Sequence, residues 1–127
     1  MTQHPLKSKS DLKRMIKALV YSCHGLKSAW KNETAFRYEI IMTLVLLPLT
    51  PWLGQSWVER TILCGSLFLL IVAELINSAI ESAVDYISKE IHPLAKQAKD
   101  MASAAVFVCL ILSFSIWLSA LYNYFFT

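Results

Sequence analysis

The sequence predicts an all-α integral membrane protein: an N-terminal interfacial amphipathic helix, then three transmembrane helices that associate between copies of the chain into a homo-oligomeric bundle. Hydrophobic residues make up 56% of the 127 residues and charged residues only 17%, whereas soluble domains carry about 25% charged residues. The mean hydropathy is +0.49. Only 3 glycines and 4 prolines are present, too few for a small β-sandwich or barrel. This length predicts a single domain over residues 1–127.

Residues 8–31 are predicted to form the amphipathic surface helix. Apolar residues recur there at helical spacing opposite a basic face; they are Leu12, Met15, Ile16, Leu19, Val20 and Cys23, facing Lys13, Arg14 and Lys17. No apolar run follows the first basic residues closely enough for a cleavable signal peptide. The helix is therefore expected to lie in the membrane surface and to be retained.

Three apolar runs predict the transmembrane helices. The first, residues 34–53, is apolar apart from Glu39 and a few hydroxyls, and Pro48 and Pro51 predict a kink near its end. The second, residues 59–86, reaches spanning length with a cytoplasmic extension if its polar residues are accepted within the membrane. The third, residues 95–123, contains 21 consecutive uncharged residues, 101–121, which as a helix cover about 31 Å.

The distribution of basic residues predicts the orientation, because cytoplasmic flanks collect Lys and Arg. Seven basic residues between positions 7 and 31 precede the first span, and Lys89, Lys96 and Lys99 lie between the second and third. The loop before the second span has Arg60 alone, and the tail after residue 121 has none. The N-terminus is therefore predicted to be cytoplasmic and the C-terminus outward.

A polar stripe in the second span is the strongest functional signal. At about 100° per residue, five polar side chains point within about 60° of a single direction and so share one face of the helix. They are Glu74, Asn77, Ser78, Glu81 and Asp85. Such a stripe facing lipid would cost several kcal/mol. Interhelical hydrogen bonding is the structural alternative, but three carboxylates on one face repel each other. An isolated chain is expected to expose this face, which predicts that copies of the chain share a site.

Further ionisable residues gather at the same predicted membrane face. Lys99 and Asp100 precede the third span, and Glu33 and Arg37 flank the start of the first. Converging carboxylates can hold Mg²⁺, and lysines can neutralise phosphate oxygens. The set indicates phosphoryl transfer.

Other site types and partners are excluded by spacing and charge. Glycines occur only at positions 25, 54 and 65 and histidines only at 4, 24 and 92, so neither a Walker loop, a GxGxxG fingerprint nor an HExxH site is possible. The three scattered cysteines fit neither a zinc site nor a disulfide framework. A net charge of +3, without basic stretches interleaved with aromatics, argues against nucleic acid as a partner.

The pattern E-x-I-N-S-A-I-E-x-A-V-D at residues 74–85 resembles the signature of the prokaryotic diacylglycerol kinase family. The segments N-E-x-A-F-R at 32–37 and A-K-D-M-x-S-A-A at 98–105, together with the three-span layout, extend the resemblance over nearly the whole chain. The resemblance implies an integral membrane kinase, typically a homotrimer, that transfers the γ-phosphate of MgATP to a lipid hydroxyl, with diacylglycerol as the expected substrate.

The resemblance also implies roles for individual residues. Glu74 would be the catalytic base with Asn77 as its polar neighbour, and Glu33 and Glu81 would hold Mg²⁺. The implied ATP contacts are Tyr21, Glu33, Glu81, Asp85, Glu90, Ile91, His92, Lys99 and Asp100. The implied lipid contacts are Arg14, Ala35, Phe36, Arg37, Tyr38, Glu39, Arg60, Glu74 and Ser103. The chain departs from the family pattern at residues 93–97, which lack a glycine and an arginine found there in well-known members.

Several of these residues have simpler interpretations. Tyr21 is equally typical of an interfacial aromatic, Arg14 and Arg60 of interfacial anchors, and Ser103 of a small packing residue. Two functional alternatives also remain open at this stage. An undecaprenol kinase would carry a similar signature, and a small ion or proton conductor would use Glu74 and Glu81 as its pathway, although a conductor would need neither ATP nor Lys99.

Overall fold

The computed structural model describes the backbone of residues 5–127 and the side chains of residues 10–127. The helices are α1 (Pro5–Asn32), α2 (Thr34–Leu46), α3 (Thr50–Leu53), α4 (Trp57–Ile87) and α5 (Pro93–Phe126). The described backbone contains no strand, so the all-α prediction is confirmed. The chain divides after Thr34 into two compact units; α1 lies in the first unit and the other helices form the second.

The first unit is the long helix α1, which begins before and ends after the predicted residues 8–31. Leu12, Met15, Ile16 and Leu19 are each more than half exposed along it. The basic residues between them are exposed as well. An exposed apolar stripe beside basic residues is what an interfacial helix requires, and its location in the membrane surface stays a prediction.

The α-helix changes to a 3₁₀ turn at the prolines, where the sequence predicts a kink. Leu47–Leu49 form a 3₁₀ turn between α2 and α3, with Pro48 and Pro51 each in the first turn of the element they enter. Proline supplies no N–H and clashes with the preceding turn of a continuous helix, so the chain re-initiates twice within this span. Residues 34–53 as a whole remain long and apolar enough to cross a bilayer.

Local capping explains why α4 begins two residues before the predicted 59. Ser56 Oγ accepts a hydrogen bond from Glu59 N at 3.2 Å, and Glu59 Oε2 accepts one from Gln55 N at 2.8 Å. This variant of the capping box satisfies two N–H groups that a helix start leaves unpaired. The helix then continues for 31 residues, to Ile87.

The start of α5 is set in a similar way. His92 Nδ1 accepts a hydrogen bond from Leu94 N at 3.1 Å, and Pro93 occupies the first helical position, where its missing N–H costs nothing. Both α4 and α5 are long and apolar enough to span a membrane, as is the α2–α3 segment. The prediction of three membrane-spanning segments is thus confirmed in length and composition.

Helices α4 and α5 are antiparallel and pack along much of their length. Polar contacts between the two helices fix their register: Ser66 contacts Ser113, and Lys99 pairs with Asp85. The apolar core lies at the end of this pair nearest α3, around Leu63, Leu67 and Trp117. Trp117 Nε1 donates to Ser66 Oγ at 3.2 Å, which satisfies the one polar atom of a buried indole.

Candidate active site

The polar stripe of α4 is buried at its centre. Glu74, Asn77 and Ser78 are only 5%, 9% and 8% exposed. Glu81 is half-buried, and Asp85, near the end of the helix, is exposed. One face of α4 thus carries polar groups from the interior of the protein to the end of the bundle where α4 meets α5.

The burial of Glu74 and Asn77 corrects one expectation. The sequence predicted that an isolated chain would expose this face to lipid, but a single copy already covers both side chains. Glu39 of α2, itself 8% exposed, lies close enough to Glu74 for the two carboxyl groups to interact electrostatically. The helical periodicity identified the face, but not the segment of the chain that packs over it.

Three buried polar atoms around Glu74 have no hydrogen-bond partner in the described part of the chain: Glu39 Oε2, Asn77 Oδ1 and Ser78 Oγ. Other helical hydroxyls bond to backbone carbonyls one turn earlier, as Thr43 Oγ1 does to Glu39 O at 2.8 Å. An unsatisfied buried polar group costs about 1–3 kcal/mol. The cluster therefore suits water or a hydroxyl-bearing ligand better than a closed apolar core.

A separate cavity of about 260 Å³ lies where α4 ends and α5 begins. It collects five of the residues that the family resemblance implied as ATP contacts: Asp85, Glu90, Ile91, His92 and Lys99. Its other lining residues are Val84, Ser88, Lys89, Ala95 and Lys96. Because the first turns of α5 line the cavity, the positive end of that helix dipole and three lysines face the same space, an environment that favours an anion.

Two ion pairs hold charged residues in and beside this cavity. Lys99 Nζ lies 2.6 Å from Asp85 Oδ1 and so joins α5 to α4. Lys96 Nζ lies 2.6 Å from Asp100 Oδ2, one turn along the same helix. Lys99 and Asp100 therefore both lie at this end of the bundle, as the sequence predicted. Lys99 pairs with Asp85, and Asp100 pairs with Lys96.

The two regions are connected along α4. Asp85 is eleven positions after Glu74, which corresponds to about 16 Å of helix. Glu81 lies between them and close enough to Lys99 to interact electrostatically. A buried carboxylate deep in the bundle and a lysine-lined cavity at its end are thus joined by a third carboxylate.

The fit of a metal ion can be judged from Glu81. The described residues contain no group of three His, Cys, Asp or Glu side chains arranged to hold a metal. Magnesium, however, is usually held by one or two carboxylates together with substrate phosphates. The Glu81 carboxylate is half-buried and lies between Glu74 and the cavity on α4, so its oxygens fit this mode of binding.

The remaining predicted residues are distributed more widely. Phe36 is buried and Arg37 half-buried, whereas Ala35, Tyr38 and Ser103 are exposed. Arg60 lies at the opposite end of α4 from the cavity, where its Nε donates to Gly54 O at 2.9 Å. Arg14, Tyr21 and Glu33 belong to the first compact unit.

Some polar residues in the structure had no assigned role in the sequence. Ser78 lies on the predicted polar stripe, but its burial without a hydrogen-bond partner depends on the tertiary structure. Ser66 and Ser113 contact each other at 3.4 Å inside the α4–α5 interface. The available signal was a small polar residue in each of two apolar runs, a feature typical of packed membrane helices.

Comparison with known proteins decides the family. A family model described as prokaryotic diacylglycerol kinase matches residues 20–121. This chain belongs to the prokaryotic diacylglycerol kinase family. The match contains the whole polar stripe, the cavity and, apart from Arg14, every residue for which a role was implied.

Individual relatives agree with the family match. A protein of Helicobacter pylori named diacylglycerol kinase is 50% identical over 113 residues, which cover 89% of this chain and 88% of that protein. Those of Haemophilus influenzae and Escherichia coli, with the same name, are 44% and 42% identical and cover 85% and 88% of this chain; each alignment covers 92% of the relative. This diacylglycerol kinase family member thus aligns with its relatives over nearly its full length.

Proposed function

We propose that this protein is a membrane lipid kinase that transfers the γ-phosphate of MgATP to the hydroxyl of diacylglycerol, forming phosphatidic acid and ADP. One structural observation supports the assignment most strongly. A single helix, α4, links a buried carboxylate at Glu74 to a lysine-lined cavity at Asp85. An apolar acceptor and a charged donor need such a division between an interior site and an aqueous one.

In the proposed reaction, the lipid hydroxyl donates a hydrogen bond to the Glu74 carboxylate, and Asn77 orients it. The hydroxyl oxygen attacks the γ-phosphorus in line, the bond to the bridging oxygen breaks, and ADP leaves. The hydroxyl proton passes to a Glu74 carboxylate oxygen. Lys99 neutralises phosphate charge, and the chemistry depends mainly on positioning and electrostatic stabilisation.

Glu81 and Glu33 are the proposed residues for holding Mg²⁺ with the nucleotide. The ion would neutralise charge on the phosphate oxygens when bound. Glu81 suits this role because it lies on α4 between Glu74 and the cavity, where the phosphates of a nucleotide would meet the acceptor.

The lysine distribution supports a cytoplasmic location for the α4–α5 loop and the N-terminus, and an outward C-terminus. Membership of a prokaryotic family supports a location in the bacterial inner membrane. ATP would then reach the cavity from the cytoplasm, and the lipid would reach Glu74 from the bilayer. A homotrimer is proposed from the family resemblance, with the half-buried Glu81 face completed by a neighbouring copy.

The test is a phosphorylation assay with purified protein, labelled ATP, magnesium, and separate diacylglycerol, ceramide and undecaprenol. We expect label in phosphatidic acid. Preferential labelling of undecaprenol would redefine the substrate as a polyprenyl alcohol. No ATP-dependent labelling of any lipid, by protein that is folded in the same detergent, would overturn the kinase assignment.

A further inference from the structure

The cavity between α4 and α5 contains more positive charge than the family resemblance accounts for. Three lysines line it, Lys89, Lys96 and Lys99, beside the carboxylates of Asp85 and Glu90. Only Lys99 was given a role in contacting the nucleotide. Lys99 is paired with Asp85 of α4.

Lys96 is held differently from Lys99. Its side chain is 71% exposed, against 39% for Lys99, and its partner Asp100 is on the same helix at i+4. Exposed i,i+4 pairs contribute little and exchange readily with water and other ions. The Lys99–Asp85 pair, in contrast, joins two packed helices and is more sheltered. Lys96 is thus the cavity lysine on α5 whose partner is more easily replaced.

Position also favours Lys96 over Lys89. Lys96 lies one turn before Lys99 on the regular helix α5, so both ammonium groups reach the cavity from one rigid element. Lys89 lies in the short connection after α4. A phosphate chain carries more negative charge than one carboxylate, and it can therefore compete with Asp100 for Lys96.

We propose that Lys96 is a further phosphate-binding residue of the nucleotide site, which exchanges Asp100 for the polyphosphate chain when the nucleotide binds. The inference rests on the proposed function, because it takes the cavity to be the nucleotide site. It adds a second lysine on α5, and it assigns a ligand-dependent change of partner to the Lys96–Asp100 pair.

The test compares Lys96→Gln with Lys96→Arg. We expect Lys96→Gln to raise the KM for ATP about fivefold, the upper range for one exposed charge contact, with little change in kcat or in the KM for lipid. Lys96→Arg keeps the charge and is expected to stay near the wild type. Gln97→Ala is the matched control, since Gln97 is the exposed neighbour that does not line the cavity.

A binding measurement separates phosphate contact from a structural role. The affinities of the wild type and Lys96→Gln for ATP, ADP and AMP are measured by calorimetry in detergent. A loss that grows from AMP to ATP supports the proposal, whereas an equal loss for all three overturns it. So does a loss for ATP that disappears in an Asp100→Asn background, because Lys96 would then act only by positioning Asp100.

Failure of the Lys96 proposal can be distinguished from failure of the proposed function. A wild-type protein that phosphorylates no lipid would overturn the proposed function. A wild-type protein that is active, with an unchanged KM for ATP in Lys96→Gln, would overturn only the inference about Lys96.

Discussion

At the residue scale, Glu74 combines deep burial with a nearby second carboxyl group on Glu39. Buried ionisable groups in membrane helices are costly, and they persist where function requires them. Asn77 and Ser78 add unpartnered polar atoms to the same region. The cluster is therefore poorly suited to holding helices together and well suited to binding a hydroxyl group.

Glu74→Gln separates catalysis from packing. Glutamine keeps the shape of glutamate but cannot accept the proton, so lipid phosphorylation should fall by about a hundredfold to ten-thousandfold. ATP binding and oligomeric state should be preserved, and thermal stability should be kept or raised, because a charge leaves the interior. Glu59→Gln, at the other end of α4, is the control and should remain active. Near-native turnover of Glu74→Gln would place the base elsewhere, with Asp100 as the next candidate.

Glu33 and Glu81 can be tested as magnesium ligands by the same type of substitution. Changing either to Gln should raise the magnesium concentration needed for half-maximal turnover by at least about tenfold. This is the lower limit of the loss in metal affinity when a residue that only supports a metal ligand is mutated. The helix content measured by circular dichroism should not change. Normal turnover of Glu33→Gln at limiting magnesium would remove Glu33 from the ligand set.

At the element scale, the connection between α3 and α4 depends on a close approach at Gly54. A Cβ added there would collide with the Arg60 side chain and would lie 3.0 Å from its backbone N. Arg60 in turn closes the connection through its hydrogen bond to Gly54 O. The structure thus gives Arg60 a local structural role, whether or not it also contacts lipid.

Gly54→Ala is expected to lower the free energy of unfolding by about 1–3 kcal/mol, as overpacking does elsewhere. Gly65→Ala is the matched control, because a Cβ at Gly65 meets nothing within 4 Å and alanine favours the helix by about 0.5–1 kcal/mol. Thermal unfolding in detergent should move in opposite directions for the two variants. If Gly54→Ala unfolded at the same temperature as the wild type, the Arg60 side chain would be able to move away from the added Cβ without loss of stability.

At the scale of the whole molecule, the end of the bundle at the α4–α5 loop remains open. Ile91, in that loop, is 97% exposed, and Tyr86 and Ile87 are also largely exposed. Glu81 is only half-buried. A second copy packed at this end would cover apolar surface and complete the surroundings of Glu81.

The family resemblance implies a site shared between copies of the chain in a homotrimer, so mass measurement in detergent or nanodiscs should find three copies. A monomer that retains full activity would contradict the shared site.

The sequence by itself determined the helical class, the three membrane-spanning runs and the face of α4 that carries the polar residues. Long uncharged segments can satisfy their backbone in lipid only as helices, and a period of 3.6 residues assigns the face. The prolines at 48 and 51 likewise marked the break between α2 and α3. These properties are local, so they can be read without knowing which helices pack together.

Only the tertiary structure decided which residues meet. It places Glu39 and Glu74, 35 positions apart in the sequence, close enough to interact electrostatically. It also pairs Lys99 with Asp85 and allows the Trp117 indole to donate a hydrogen bond to Ser66. Each contact depends on the rotation of a helix about its axis and on its register against a neighbour. Apolar patterning fixes the buried face but leaves that register undetermined, because many offsets bury similar apolar area.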